Sequence, residues 1–154
     1  MRILGVDPGA GGALALIDTA LDILDLCDMP VVMVGQRRQI SETWLADTLK
    51  AYEPDCAFIE RVHALPKQGV ASTFSFGVAY GMVRGVLAAL GVPFHLITPG
   101  EWKRAFHLTN SKAESRLVAA RLFPENASSF KRVRDDGRAE AALLALFGVQ
   151  QARP

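Results

Sequence analysis

The sequence predicts an α/β fold in which one five-stranded mixed sheet is flanked by helices, in a single domain of residues 1–154. Three short apolar runs joined by tight turns open the chain, which is typical of an antiparallel meander. Apolar runs then alternate with segments of helical periodicity, as in strands joined by crossover helices. A chain of 154 residues also has the size of one ordinary domain with a single hydrophobic core.

The first half of the chain is predicted to hold four strands and one helix. The runs ILGVD, ALALID and DILDLCD form the meander, and PGAGG makes its first turn. Ser41 can cap a helix that stops before Pro54, and the run CAFIE then gives the fourth strand. The apolar stripe of that helix consists of Trp44, Leu45, Thr48 and Leu49.

Residues 71–90 are predicted to form a long helix with an unusual face. Three glycines recur at every fourth position: Gly77, Gly81 and Gly85. Each glycine costs about 1 kcal/mol of helix propensity relative to alanine, so the stripe indicates that another backbone approaches closely. That backbone belongs either to the molecule's own sheet or to a second subunit.

The rest of the chain is predicted to contain the fifth strand and three more helices. VPFHLIT is the strand, and Thr98 then opens a helix with a capping box completed by Glu101. Ser111 and Glu114 repeat this pattern before the next helix. A loop through PENASSFKRVRDDG leads to the last helix, RAEAALLALFG.

Composition excludes several classes of protein. Half of the residues are hydrophobic and 21% are charged, as in ordinary globular domains rather than disordered or fibrous chains. The start of the chain reaches an acid too soon for a signal peptide, and the longest apolar stretch, residues 77–94, is predicted to be too short and too interrupted for a membrane span. Cys27 and Cys56 lack a CxxC pattern, which favours free thiols in a cytoplasmic protein.

Charge is unevenly distributed along the chain. Residues 1–60 have four basic and ten acidic side chains, whereas residues 61–154 have thirteen and six. Such a division is typical either of a metal site beside a polyanion-binding surface or of two solvated faces of opposite sign.

Two carboxylates end predicted strands, Asp7 the first and Glu60 the fourth. A strand that follows a crossover helix usually lies parallel in the sheet, so the two acids are expected at one sheet edge. Glu140 lies among alanines and leucines in the last helix, and Asp136 lies one helical turn before it. Asp135 and Asp136 could instead cap that helix.

Several buried carboxylates repel one another unless they are protonated or bind a cation. An all-oxygen set of ligands favours Mg²⁺ or Mn²⁺ over zinc, and no Cys/His grouping in the sequence competes with it. The acids therefore predict a site for a divalent metal ion.

The segments GVDPG, FIERV and DDGRAEAALLA, in this order and spacing, resemble those of RuvC-type Holliday junction resolvases of the RNase H-like superfamily. The resemblance covers nearly the whole chain. It implies a homodimeric endodeoxyribonuclease that nicks two strands of a four-way DNA junction symmetrically, with four carboxylates and two Mg²⁺ ions in each active site. It implies no nucleotide cofactor and no membrane partner.

The resemblance assigns Asp7 to the family's first aspartate, Glu60 to its central glutamate and Glu140 to the acid of the last helix. The family places its remaining acid three residues earlier, where this chain has Gly137, so Asp136 is the candidate and Asp135 is in reserve. Lys112 resembles a family lysine that assists catalysis, and the alternative is a solvated lysine at a helix start. This combination of residues is more similar to the phage and prophage branch than to the chromosomal enzymes.

Nine of the seventeen basic residues lie between positions 103 and 138, a density that suits phosphate contacts. A long connection after Glu60 offers further polar side chains. The predicted DNA-binding residues are Arg61, His63, Lys67, Gln68, Lys103, Arg104, Lys112, Lys131, Arg132 and Arg134. Leu65, Phe74 or Phe76 could wedge between bases at a junction, although core packing is the expected fate of the two phenylalanines.

Three alternatives stay open. The first is a nuclease of the same superfamily that acts on other branched DNA or on hybrids. The second is a junction-binding module without catalysis, which four retained acids argue against. The third is a phosphotransferase of the actin and sugar-kinase type, which needs two such domains where this chain has room for one.

Overall fold

The apolar runs of the chain form the central sheet, as predicted. The computed structural model describes residues 1–152. Their strands are β1 (Arg2–Asp7), β2 (Ala13–Asp18), β3 (Ile23–Asp28), β4 (Val31–Val34), β5 (Arg37–Ile40), β6 (Cys56–Glu60) and β7 (Phe94–Ile97). Five of these strands form the main sheet, in the order β3-β2-β1-β6-β7. The first three strands pair antiparallel, while β1, β6 and β7 run parallel, so the predicted mixed sheet is confirmed.

Helices cover both faces of this sheet. They are α1 (Glu42–Tyr52), α2 (Val70–Ala89), α3 (Pro99–Ala105), α4 (Lys112–Leu122) and α5 (Asp136–Ala152). The predicted loop before α5 is instead two short 3-10 helices, Pro124–Phe130 and Val133–Asp135.

The predicted helix starts at Ser41, Thr98 and Ser111 are confirmed, and the predicted side-chain caps are confirmed in two of these three cases. The Ser41 side chain accepts a hydrogen bond from the Trp44 amide, and Thr98 forms a full capping box with Glu101. The predicted capping box of Ser111 is wrong, because its side chain makes no capping hydrogen bond. Glu114 instead accepts a hydrogen bond from the Thr109 amide, at 2.8 Å, so its carboxylate binds backbone that precedes the helix.

A second sheet, the hairpin of β4 and β5, was not among the predicted elements. Its strands pair from Val31 opposite Ile40 to Val34 opposite Arg37. Gly35 adopts φ 63° in the tight turn, a conformation that glycine reaches at little cost. The glycine at the centre of VVMVGQRR was therefore the sequence signal that could have predicted this hairpin.

Alternation along the strands divides the core into two parts. Ile3 of β1 and Phe58 of β6 pack on the face covered by α5, whereas Leu4 and Ile59 pack on the face covered by α1 and α2. Since side chains along a strand point alternately to opposite faces, the last residues of β1 and β6 share the α5 face.

Helix α5 lies unusually close to β1 at Gly5. A Cβ atom on Gly5 would collide with the Ala141 carbonyl oxygen and lie 2.5 Å from the Ala145 amide nitrogen. A Cβ on Gly148 would lie 2.5 Å from the Phe58 ring. The sheet and the helix therefore approach at a distance that only small residues permit.

Helix α2 packs through Ala79, Val83 and Leu87, and most of its surface is exposed. Among residues 1–152 it is the helix that is long and apolar enough to cross a membrane, judged by length and composition alone. Only 17% of its most apolar 18-residue stretch is buried. Length and composition alone do not place it in a membrane, so the prediction that residues 77–94 are too short and too interrupted for a span stays a prediction. Cβ atoms on the three striped glycines of α2 would meet no atom within 4 Å, which excludes the molecule's own sheet, one of the two neighbours considered for this face.

We expect Gly5→Ala to lower the free energy of unfolding by about 3 kcal/mol, the upper end of the usual overpacking range, because the new methyl group meets backbone that cannot move aside. Gly100→Ala is the matched control, since a Cβ there meets no atom within 4 Å. The control should change stability by less than about 1 kcal/mol. Urea unfolding measures both variants, and a Gly5→Ala protein as stable as the control would contradict the close packing.

Candidate metal centre

Three carboxylates meet at the edge of the sheet under α5. Asp7 ends β1 and Glu60 ends β6, and these neighbouring parallel strands pair Val6 with Ile59 one residue earlier. Glu140 reaches the same point from α5, and one ligand oxygen from each acid lies within 4.8 Å of the others. The predicted convergence of the two strand ends with the last helix is confirmed as geometry.

Burial makes this cluster electrostatically costly. Glu140 is only 8% exposed, and α5 is buried on nearly all sides along residues 137–149. Burial, followed by the charges of Glu140 and Glu60, raises the pKa of Asp7 to about 8. Burial and then the charge of Glu60 also raise the pKa of Glu140. Like charges at this distance need a proton or a cation between them.

The donor set fits a hard divalent cation. Carboxylate oxygens are the ligands that Mg²⁺ and Mn²⁺ prefer, and the three acids include no sulfur or imidazole. Asp7, Glu60 and Glu140 are the residues that could hold such an ion.

The two remaining acidic candidates differ in their partners. Asp135 is 1% exposed, and both of its carboxylate oxygens accept from Arg132 at 2.7 to 3.1 Å. These hydrogen bonds lower the pKa of Asp135. Asp136 forms an ion pair with Arg116, and its charge helps to raise the pKa of Glu140. Asp136 therefore lies beside the cluster, although it is not one of its three members.

Two lysines lower the pKa values of acids in the cluster. Lys112, at the exposed start of α4, lowers the pKa values of Asp7 and Glu140 and so opposes the effect of burial. Lys103, predicted as a DNA contact, also lowers the pKa of Glu140, and its effect is larger than that of Lys112. Lys103 is half-buried, with its Nζ atom 5.4 Å from the centre of the Trp102 ring.

Sequence reasoning missed two partners of the site. Trp102 of α3 donates its indole N–H to Oε1 of Glu60, at 3.0 Å. Arg116 of α4 binds Asp136. Neither contact follows from spacing, since 42 and 20 residues separate the partners. The available signal for Trp102 was its place in a capped helix directly after the strand that neighbours β6.

The predicted DNA-binding residues are mostly exposed. Among residues 1–152 this holds for Arg61, His63, Lys67, Arg104, Lys112, Lys131, Arg132 and Arg134. Gln68 is partly buried, and its side-chain oxygen accepts from the Leu65 amide. Arg132 directs its guanidinium to Asp135, which leaves fewer donors for a phosphate.

The candidate wedge residues lie near the start of α2. Phe74 is 73% exposed, so the expectation that it packs in the core is wrong. It projects from a helix whose buried side faces the other way. Phe76 is half-buried, and a Cβ on Gly9, just after Asp7, would lie 3.2 Å from its ring. Leu65 is exposed in the preceding connection.

We expect Asp7→Asn to stabilise the metal-free protein in a pH-dependent way. Because the folded Asp7 carboxyl keeps its proton up to about pH 8 and the unfolded one loses it near pH 4, folding stability falls as pH rises between these values. Asparagine does not titrate. The stability gain of the variant should therefore be at least about 2 kcal/mol larger at pH 8 than at pH 4.5.

Urea unfolding in EDTA at the two pH values measures this gain. Asp47→Asn, on the exposed side of α1, is the control and should show no such pH dependence. An Asp7→Asn effect that is equal at both pH values would contradict the burial of an acid cluster.

Comparison with known proteins gives relatives in one family, although no family model matches the chain. The chain is similar to the crossover junction endodeoxyribonuclease RuvC of Nitratidesulfovibrio vulgaris. The two are 33% identical over 129 residues, which cover 77% of this chain and 73% of the relative.

Solved structures share the fold. The RuvC of Thermus thermophilus in complex with a Holliday junction substrate superposes with a TM-score of 0.72 at 19% identity, covering 99% of this chain and 95% of that one. The yeast mitochondrial Holliday junction resolvase gives 0.56 at 15% identity, covering 97% and 78%. The sequence identity over most of both chains shows the family and the fold agrees with it, so this chain belongs to the RuvC family of crossover junction endodeoxyribonucleases.

Proposed function

We propose that this protein is a divalent-metal-dependent endonuclease that resolves four-way DNA junctions by paired, symmetric nicks. The convergence of Asp7, Glu60 and Glu140 within 4.8 Å supports the proposal most directly. The relatives named as crossover junction endodeoxyribonucleases, and the similar fold of a RuvC solved with a junction, support the choice of substrate.

Mg²⁺ is the proposed physiological ion, with two ions per site and Mn²⁺ as a substitute. When bound, such ions activate a water molecule and neutralise charge on the leaving oxygen of a phosphodiester. Asp7, Glu60 and Glu140 are the residues that would hold the metal, because one oxygen of each lies within 4.8 Å of the others. Burial favours protonation of these acids, and the bound cation is proposed to take the place of the proton.

Asp136 is the proposed fourth ligand, since Arg132 already occupies both oxygens of Asp135. To bind an ion, Asp136 has to share or release Arg116. Lys112 and Lys103 are proposed to stabilise negative charge that develops on the phosphate, because the charges of both already lower the pKa of Glu140. Lys112 is the catalytic lysine of this proposal.

DNA is proposed to lie across the basic residues around this edge of the sheet. Exposed cations are well suited to phosphate contacts, which provide most of the sequence-independent affinity. The set comprises Arg61, His63, Lys67, Gln68, Lys103, Arg104, Lys112, Lys131, Arg132 and Arg134. Phe74, exposed at the start of α2, is the proposed wedge at the junction centre.

A homodimer is proposed to form through the exposed face of α2. Gly77, Gly81 and Gly85 leave open space there, and Val78 adds exposed apolar surface. Glycines on a helix allow a second helix to approach closely, and such packing offsets their cost to helix propensity. The same apolar helix surface explains why α2 resembles a membrane span in composition.

A cytoplasmic location is proposed because the substrate is DNA and because Cys27 and Cys56 are both free thiols. Membership of the phage and prophage branch stays a prediction, as the relatives named above come from cellular organisms.

We expect the protein to nick a synthetic four-way junction at symmetric positions in Mg²⁺ and not in EDTA. Asp7→Asn should lower the nicking rate by at least about 100-fold, because the cluster loses a charged ligand. Asp47→Asn is the matched control and should keep full activity. Gel analysis of end-labelled junction strands measures the rate and the positions of the nicks.

Equal cutting of linear duplex would contradict the choice of substrate and favour a nuclease of broader action. Tight junction binding by the wild type without cleavage in Mg²⁺ or Mn²⁺ would favour the non-catalytic module.

We expect Gly81→Arg to convert the dimer to the 16.7 kDa monomer, because a bulky charge then occupies the proposed interface. The monomer itself should fold, since the new side chain points into open space. Leu117→Arg, on the exposed face of α4, is the control and should stay dimeric. Sedimentation velocity measures both, and a wild type that sediments as a monomer would contradict the dimer.

A further inference from the structure

Trp102 is a buried side chain whose polar atom binds a member of the acid cluster. It is 0% exposed, and its indole N–H donates to Oε1 of Glu60 at 3.0 Å. A buried indole N–H requires an acceptor, and backbone carbonyls are the usual source. Here the acceptor is a carboxylate that lies within 4.8 Å of Asp7 and Glu140.

The indole is held rigidly where it stands. Helix α3 begins with a capping box between Thr98 and Glu101 and with Pro99 in its first turn, so two features fix its start. The ring packs into the core under α5, and Lys103 lies 5.4 Å from the ring centre. The direction of the N–H bond is therefore set by the core rather than by the flexible end of Glu60.

Glu60, in contrast, has a long side chain and is the last residue of its strand. A carboxylate has about four lone-pair sites on two oxygens, so one hydrogen bond leaves capacity for a cation. A donor from the core that occupies one position restricts the rotation of the group. Donors of this kind orient metal ligands, and their loss typically weakens metal binding by 10- to 100-fold.

We propose that Trp102 is a positioning residue that fixes the carboxylate of Glu60 for divalent cation binding. This inference rests on the proposed function, since it assigns the acid cluster to a metal ion. Trp102 does not touch the DNA or the reacting atoms; it acts through Glu60.

Trp102→Phe removes the N–H group and keeps an aromatic ring in the core. We expect it to weaken Mg²⁺ binding, measured by calorimetry without DNA, by about 10-fold or more. Nicking should recover when Mg²⁺ is raised by the same factor, while junction binding in EDTA should not change. Trp44→Phe is the matched control, because Trp44 is exposed on α1 and makes no contact with the cluster.

A second measurement uses the folded wild type. The protein has two tryptophans, so its ¹⁵N NMR spectrum has two indole resonances. On titration with Mg²⁺ the Trp102 indole resonance should shift and that of Trp44 should stay. In the metal-free protein Glu60→Gln should also shift the Trp102 resonance, since the amide oxygen is a weaker acceptor than the carboxylate.

The outcomes separate this inference from the proposed function. A wild type that binds Mg²⁺ and nicks junctions, with unchanged affinity in Trp102→Phe, overturns the positioning role alone. A Trp102 resonance that does not respond to Mg²⁺ binding does the same, even where the variant fails to fold. A wild type that binds no Mg²⁺ overturns both.

Discussion

The close contact between α5 and the centre of the sheet determines where the site lies. At Gly5 the backbone of α5 takes the space that a side chain would fill. Ala141 and Ala145 allow this approach because they are small, and Glu140 directly precedes the first of them. A helix held at an ordinary distance would carry Glu140 away from the strand ends. The packing of glycine against alanine is therefore a condition for the acid cluster.

The same contact explains the electrostatic cost of the site. Close packing excludes water from Asp7 and Glu140, and this raises the pKa of both carboxyls. The chain carries only partial compensation, through Lys112 and Lys103. The apolar core on both faces of the sheet stabilises the fold enough to tolerate three acids at its edge. The site is therefore more favourable with a cation than without one.

Sequence reasoning recovered the parts that depend on local pattern. The strand ends at Asp7 and Glu60 and the apolar last helix are visible as runs and periods, and the topology of parallel strands brings the acids together. Contacts between remote elements were missed, because no spacing encodes the hydrogen bond from Trp102 to Glu60. Asp136 and Asp135 could not be separated in sequence, since their difference lies in which arginine each one meets. The cap at Ser111 failed because Thr109 competes for Glu114.

The two faces of the sheet have different tasks, and residues 61–69 connect them. The α5 face holds the acids, whereas the other face carries α2 with its exposed glycine stripe. Glu60 ends β6, and α2 begins at Val70, so residues 61–69 join a cluster acid to the proposed dimer helix. A dimer of this kind has two-fold symmetry, which fixes the orientation of its two acid clusters. A four-way junction offers two equivalent strands in a two-fold arrangement. The symmetry of the proposed nicks therefore follows from the two-fold axis of the proposed α2 dimer, and not from a property of the acid cluster alone.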